Sequence, residues 1–307
     1  HFREYLHRGA ASIVQVDVAR IGGIDGRAPR PTSVSIPCPR WAYLPRMSPL
    51  VIRALTGIAA AVLIAAIARR AGSLSASGAA AAVLLGGVAS AAGWSWAFLL
   101  VAYFVTSAAL SHWKRGVKEA RTGAVVAKGG ARDAWQVLAN GGAFGAAAAG
   151  SLLWPHPAWL AAAVGALAAS AADTWGTEIG TVAGGTPRSL LGWTRVSPGT
   201  SGAVSGAGTV ATLAGAALIG ALATAAGWPG AAWPAIAGGT AGAFADSLLG
   251  AALQARRWCD RCDAATERTV HGCGTPTHVA GGIAWLDNDV VNLLCTLAGA
   301  AVGWATG

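Results

Sequence analysis

Two carboxylates close an otherwise uncharged, alanine-rich run in the stretch Ser170-Ala-Ala-Asp-Thr-Trp-Gly-Thr-Glu-Ile-Gly180. An acid at or near bilayer depth must pair, bind a cation or face water, so such a residue points to a functional site by default. On an unbroken helix Asp173 and Glu178 are five residues apart and point in different directions, whereas Asp173 and Thr177 share a face. The two acids meet only if the helix ends near Gly176; otherwise they serve as cap and interfacial residues of a helix end. A third acid, Asp246, lies within the apolar segment Gly238–Gln254 and shares a face with Gly250. Asp173, Glu178 and Asp246 together make a carboxylate set suited to a hard divalent cation. Mg²⁺ usually takes one or two protein carboxylates plus phosphate oxygens. In Asp287-Asn-Asp-Val-Val-Asn292 the acids precede an apolar helix, which reads Asp287 as an N-cap and leaves Asn288 and Asn292 as candidate site residues.

Cations and small polar residues lie near these acids in sequence. Six basic residues fill the segment from Lys114 to Arg132, and Gln136 and Asn140 open the next apolar helix. Lysine supplies a point charge and arginine a bidentate fork, a combination suited to a phosphate-rich ligand. Lys128 and Arg132 are the chief candidates for that role; basic loops are also ordinary topology signals and attract anionic lipid headgroups. Thr186-Pro-Arg188 follows, and then a loop rich in Gly, Ser and Thr that includes Thr200, Ser201 and Ser205. Such a loop entering a helix offers free N–H groups and the positive end of the helix dipole to an anion. It matches no Walker or dinucleotide fingerprint, and a plain flexible re-entry into the next span explains it equally well.

Cys259-Asp-Arg-Cys262 and His271-Gly-Cys273 can close a tetrahedral Zn²⁺ site, which with four protein ligands is typically structural. The alternatives are loop cysteines without metal, or His278 in place of His271. Five cysteines in all give no disulfide framework.

These residues need elements to hold them, and composition names the class. Hydrophobic residues make up 54% of the chain and charged residues 11%, against about 25% charged in a soluble domain. The expectation is an all-α, polytopic membrane helix bundle, multi-pass in the cell membrane among its lipids, with about eight spans (six to eight). The apolar blocks run approximately 50–68, 74–92, 94–111, 137–153, 158–175, 203–227, 233–253 and 288–306. Every second break is basic, and the others, at Gly93, Trp154–Pro157 and Trp228–Pro234, carry no lysine or arginine. The positive-inside rule puts the four basic breaks in the cytoplasm. The net charge of +9 follows that topology; with no basic runs interleaved with exposed aromatics, nucleic acid is not an expected partner. Tryptophans 94, 96, 154, 159, 228 and 233 fit an interfacial belt. Gly141/Gly145, Gly202/Gly206 and Gly238/Gly242 have the spacing of close helix contacts.

Residues 1–46 differ in composition. They carry seven arginines and a proline-rich run, and the sole methionine is Met47. The expectation is a non-native or disordered extension before a membrane domain at 47–307, which includes a Cys/His loop at 254–287. Residues 9–24 resemble a strand-and-loop piece of enolase-superfamily barrels. Sixteen residues cannot make a fold of about 250, so no activity is assigned to them.

From about residue 48 to 306 the chain resembles a widespread integral-membrane family, domain of unknown function ninety-two, which includes a phytyl-phosphate kinase of chloroplasts. The resemblance is carried in order by Gln136–Asn140, Ala172–Gly180, Thr186–Arg188, Gly199–Ser205, Asp246–Ala251 and Asp287–Asn292. It implies phosphoryl transfer from CTP or ATP to a prenyl (phytyl or polyprenyl) monophosphate at the cytoplasmic face. Asp173, Glu178 and Asp246 would hold Mg²⁺, Lys128, Arg132 and Arg188 would neutralise phosphates, and residues 199–208 would cradle one. A second reading makes the same acids the substrate or proton site of a small-molecule or ion transporter. A third is a lipid-binding scaffold without turnover. Oligomeric state is not legible.

Overall fold

The computed structural model describes residues 48–123, 125–126 and 130–307. The expected N-terminal extension, the enolase-like stretch and Lys128 lie outside the described residues. Pro49–Gly307 forms one compact unit.

Helices α1 (Pro49–Arg70), α2 (Ala76–Ala92) and α3 (Trp94–His112) follow one another closely. Gly93 alone joins the last two, at a φ of 156° that an L side chain rarely adopts. A short helix, α4 (Arg115–Thr122), lies in the basic loop. The next two, α5 (Ala134–Leu153) and α6 (Ala158–Ala183), flank the Trp154–Pro157 turn. Two two-residue strands, β1 (Arg188–Ser189) and β2 (Ala203–Val204), pair antiparallel before α7 (Gly206–Ala225) and α8 (Ala232–Ala252). Strands β3 (Arg256–Cys259), β4 (Ala264–Thr266) and β5 (His278–Gly281) form an antiparallel sheet in the order β4-β3-β5, and α9 (Asn288–Thr306) completes the chain.

The protein is thus mostly helical, and the strands correct the all-α expectation. A polar loop of more than thirty residues must satisfy its own backbone groups, and antiparallel pairing does that without a helix's apolar face. Among the described residues four helices, α1, α3, α7 and α9, are long and apolar enough to cross a membrane.

Ala161 to Ala172 of α6 are buried without a break, all but Val164, Gly165, Leu167 and Ser170 being alanine. Lipid and apolar side chains are alike in character, so helices in a membrane associate through close packing of small residues. Gly165 of α6, Gly238 of α8 and Gly299 of α9 meet at one junction. A Cβ on Gly238 would lie 2.6 Å from Gly299 O and 2.8 Å from Gly165 Cα. The Gly238/Gly242 and Gly141/Gly145 pairs do mark such contacts, the latter closing on Leu85. Gly202/Gly206 does not, because Gly202 belongs to a loop and Gly206 faces open space.

The two ends of the bundle differ. At the end of the uncharged turns, Trp96 packs on Phe144 and Trp228, and Trp159 packs on Trp304. Half of the expected belt is therefore interior packing, while Trp94, Trp154 and Trp233 are exposed. At the other end the basic loops knit together. Leu74 bridges Arg132, Glu267 N–H donates to Val125 O at 2.8 Å, and the Arg268 guanidinium donates to Val126 O at 2.9 Å.

Candidate functional site

Helix α6 runs through Gly176 without ending, so Asp173 and Glu178 diverge as an unbroken helix requires. Gly176 and Gly180 serve contact instead of termination. Cβ atoms there would meet Thr212, Gly208 and Ser205, because α7 lies directly against this face. Each acid finds a different partner.

The Asp173 carboxyl lies within hydrogen-bonding reach of the Asp246 carboxyl from α8. Both residues are half-buried. Asp246 Oδ1 is shielded from solvent and has no hydrogen-bond partner among the described residues. A buried carboxylate oxygen without a partner is costly, so the arrangement suits a cation or proton held between the two acids.

Glu178 is tied to the basic loop. Lys118 Nζ donates to Glu178 Oε2 at 2.5 Å, and Ser111 Oγ donates to Glu178 Oε1 at 2.7 Å. The same ammonium caps the end of α3 through Leu110 O and Ser111 O, and Lys118 is 8% exposed. Arg132 Nη2 donates to Ser111 Oγ at 2.8 Å, which brings its guanidinium to the same cluster. Arg115 forms an exposed pair with Glu119, and Arg121 donates to Thr181 O.

Gln136 completes a capping box with Asp133 at the start of α5. Asn140 Oδ1 accepts from Ser170 Oγ at 2.7 Å, and Ser170 lies 2.6 Å from Tyr103 OH. This polar chain inside the bundle escaped sequence reasoning. Its signal was Ser170, one turn before Asp173 on the same face.

The glycine-rich loop is pinned. Gly202, at a φ of +69°, fits where a Cβ would strike Ser247 O and Ala251 of α8, and this draws the loop to the helix that carries Asp246. Ser201 Oγ hydrogen-bonds Glu267, which also accepts from Gln254 Nε2 at 2.9 Å. Thr200 bonds within the loop, to Ser197 O. Ser205 caps α7 by accepting from Gly208 N. Arg188 turns back on its own hairpin, donating to Trp193 O at 3.0 Å and lying over the Trp193 ring. Glu267 was missed; it is the single acid between Asp263 and Asp287, and that isolation was its signal.

Asp287 caps α9, accepting from the N–H groups of Asp289 and Val290 at 3.1 Å each, as its place in the sequence implies. Asn288 is exposed and Asn292 half-buried beside it.

The Cys/His loop brings Cys259, Cys262, His271 and Cys273 together, with their ligand atoms all within 4.8 Å of one another. Cys259 Sγ and Cys273 Sγ are 3.6 Å apart, and His271 Nδ1 is 3.3 Å from Cys273 Sγ. His278 instead faces Asp260 at 3.3 Å. Hydrogen bonds from Thr275 and then His271 hold the Cys273 thiol down to about 5. Cys262, hydrogen-bonded to Cys273, is pushed up to about 11. A lowered value favours the charged form above it. In metal-free protein Cys273 therefore remains a thiolate at pH 6 while Cys262 remains a thiol. Iodoacetamide at pH 6 should label Cys273 well ahead of Cys262; equal labelling would contradict this arrangement.

A helical bundle with spans long and apolar enough for a bilayer, carboxylates in its apolar helices and its basic loops gathered at one end, defines an integral membrane protein. The chain belongs to the family described as integral membrane protein DUF92, whose model matches residues 59–300. No solved structure matches it.

Proposed function

We propose that this chain is a multi-pass protein of the cell membrane with eight spans. In this reading it transfers a phosphoryl group from CTP or ATP to a prenyl monophosphate at the cytoplasmic face. The observation that carries it is the pairing of Asp173 and Asp246, both half-buried, with Asp246 Oδ1 shielded from solvent and unpartnered among the described residues. Helix α6 has 26 residues, about 39 Å, against a hydrocarbon core of about 30 Å. If it starts at the opposite face, only the turns from about Glu178 onward extend past the core on the side of the basic loops, and Asp173, about 23 Å along the helix, lies one to two turns below that surface.

The two aspartates fit a hard divalent cation, and Mg²⁺ bound there would neutralise phosphate charge. Arg132 and Lys128 attract the phosphates. Lys118 holds Glu178 in place, and the Glu267–Ser201 contact fixes the glycine-rich loop beside Asp246. Arg188, engaged by Trp193, is left out of the set. Chemically, a terminal oxygen of the prenyl monophosphate attacks the γ-phosphorus, a new P–O–P bond forms, and the bond to the β-phosphate oxygen breaks to release the nucleoside diphosphate. Such a reaction depends chiefly on positioning and charge neutralisation.

The test is transfer of labelled phosphate from CTP or ATP to phytyl and geranylgeranyl monophosphates with Mg²⁺. Asp173→Asn is expected to lower the rate on the order of 10²-fold or more, the scale of losing one charge-stabilising group. Arg188→Gln should leave it nearly unchanged. Absence of transfer by folded protein over a panel of prenyl phosphates would favour a transporter using the same acids, and uptake into liposomes would then decide.

The reading also places Zn²⁺ at Cys259, Cys262, His271 and Cys273. Thiolates around tetrahedral zinc lie about 3.8 Å apart for Zn–S bonds of about 2.3 Å, close to the Cys259–Cys273 spacing. The metal would fasten β3 to the segment that precedes β5. Elemental analysis should find about one zinc per chain and none in Cys259→Ser; a zinc-free wild type purified without chelator would refute the assignment.

A further inference from the structure

A groove of about 740 Å³ runs between α1 and α2, within the range of about 300–1,000 Å³ typical of ligand clefts. Val62, Ala66, Ala80 and Val83 are among the apolar residues that line it, and Arg69 and Arg70 stand at its end. No other lining residue is polar. Val62 and Arg69 are two turns apart, about 10 Å along the helix. The groove therefore runs with the helix axis, the direction in which a bilayer's hydrocarbon chains lie.

The two arginines differ from most other cations at this end of the bundle. Arg121, Arg132, Arg188, Arg257 and Arg268 all donate to protein oxygens. Neither the Arg69 nor the Arg70 guanidinium has a hydrogen bond or ion pair among the described residues, and both side chains are exposed. Each carries five N–H donors in a planar fork matched to phosphate oxygens. Position alone at a helix C-terminus and on the cytoplasmic side accounts for positive charge there. It does not account for an apolar channel leading away from that charge.

We propose that this groove is a binding site for an anionic phospholipid of the cytoplasmic leaflet. One hydrocarbon chain lies between α1 and α2, and the headgroup phosphate accepts hydrogen bonds from Arg69 and Arg70. The site is separate from the aspartate pair and does not depend on phosphoryl transfer. It rests on the loops of the basic end facing the cytoplasm. The two features recognise two parts of one molecule, which an aqueous anion or a plain hydrocarbon would satisfy only by half.

Native mass spectrometry of the detergent-purified chain would read this directly, with phosphatidylglycerol and phosphatidylcholine of identical acyl chains as probes. Wild type is expected to retain phosphatidylglycerol on the order of tenfold better, the scale set by two arginines at an anionic surface. The R69Q/R70Q double variant should retain both lipids equally. Ala80→Phe, which fills the groove and leaves the charge, should weaken both. Folding of each variant is checked by its melting temperature. An undiminished preference in R69Q/R70Q would assign the anionic-lipid effect to the other basic loops and overturn the proposal. So would displacement of the lipid by millimolar inorganic phosphate, which marks a free-anion site. A dimer that loses its stability in Ala80→Phe, with lipid retention unchanged, would make a second copy the occupant.

Discussion

Gly165→Val is expected to leave almost no folded protein on size-exclusion chromatography in detergent, with a cost of more than about 4 kcal/mol. A Cβ at this position would strike Gly299 O and come within 3.0 Å of Gly303 Cα and 3.1 Å of Gly299 C. These neighbours are backbone atoms of another helix and cannot rotate away. Overpacking costs about 1–3 kcal/mol where side chains can adjust, and more where nothing can. The helices must separate, and α8 loses its own contact through Gly238 at the same time. Gly142→Val is the control, because a Cβ on Gly142 meets nothing within 4 Å. A well-folded Gly165→Val protein would show that α6, α8 and α9 do not cross at these glycines.

Glu178→Ala should have the next largest effect on stability. It leaves the Lys118 ammonium, 8% exposed, without its carboxylate. Removing one partner of a buried ion pair costs about 3–5 kcal/mol, because the remaining charge is left uncompensated. The lower part of that range applies, since Lys118 keeps hydrogen bonds to Leu110 O and Ser111 O. The double variant Glu178→Ala/Lys118→Met should recover much of the loss, since it removes the stranded charge as well. Melting temperatures in detergent for the two singles and the double give the coupling. Additive losses would mean that the two residues do not interact.

The sequence carried the helices well, because apolar runs of about 20 residues are local facts, but not which acids meet: Glu178, expected with Asp173 and Asp246, pairs with Lys118. The capping role of Asp287 was legible because it too is local. What it did not carry was the purpose of a glycine. Gly176 breaks a helix or lets another helix close on it, and only the position of α7 decides between these. Gly202 likewise looked like half of a helix-contact pair and proved to be the point where a loop meets α8. Side-chain direction was also beyond reach: Arg188 and Arg132 are alike in sequence context, yet one turns to Trp193 and the other to Ser111. Lys118 and Glu178, sixty residues apart, gave no local sign of each other. Glu267 stands at a similar separation, 66 residues, from Ser201.

That last separation bears on how the protein is made. Synthesis proceeds at about 5–20 residues per second, so Ser201 waits roughly 3–13 s before Glu267 exists to receive it. Asp173 waits about as long for Asp246. Through that interval Asp173 stands on α6 before its partner has been translated. The aspartate pair is thus complete only after α8 has been made, and the glycine-rich loop gains its Glu267 contact later still, in the last part of the chain to emerge.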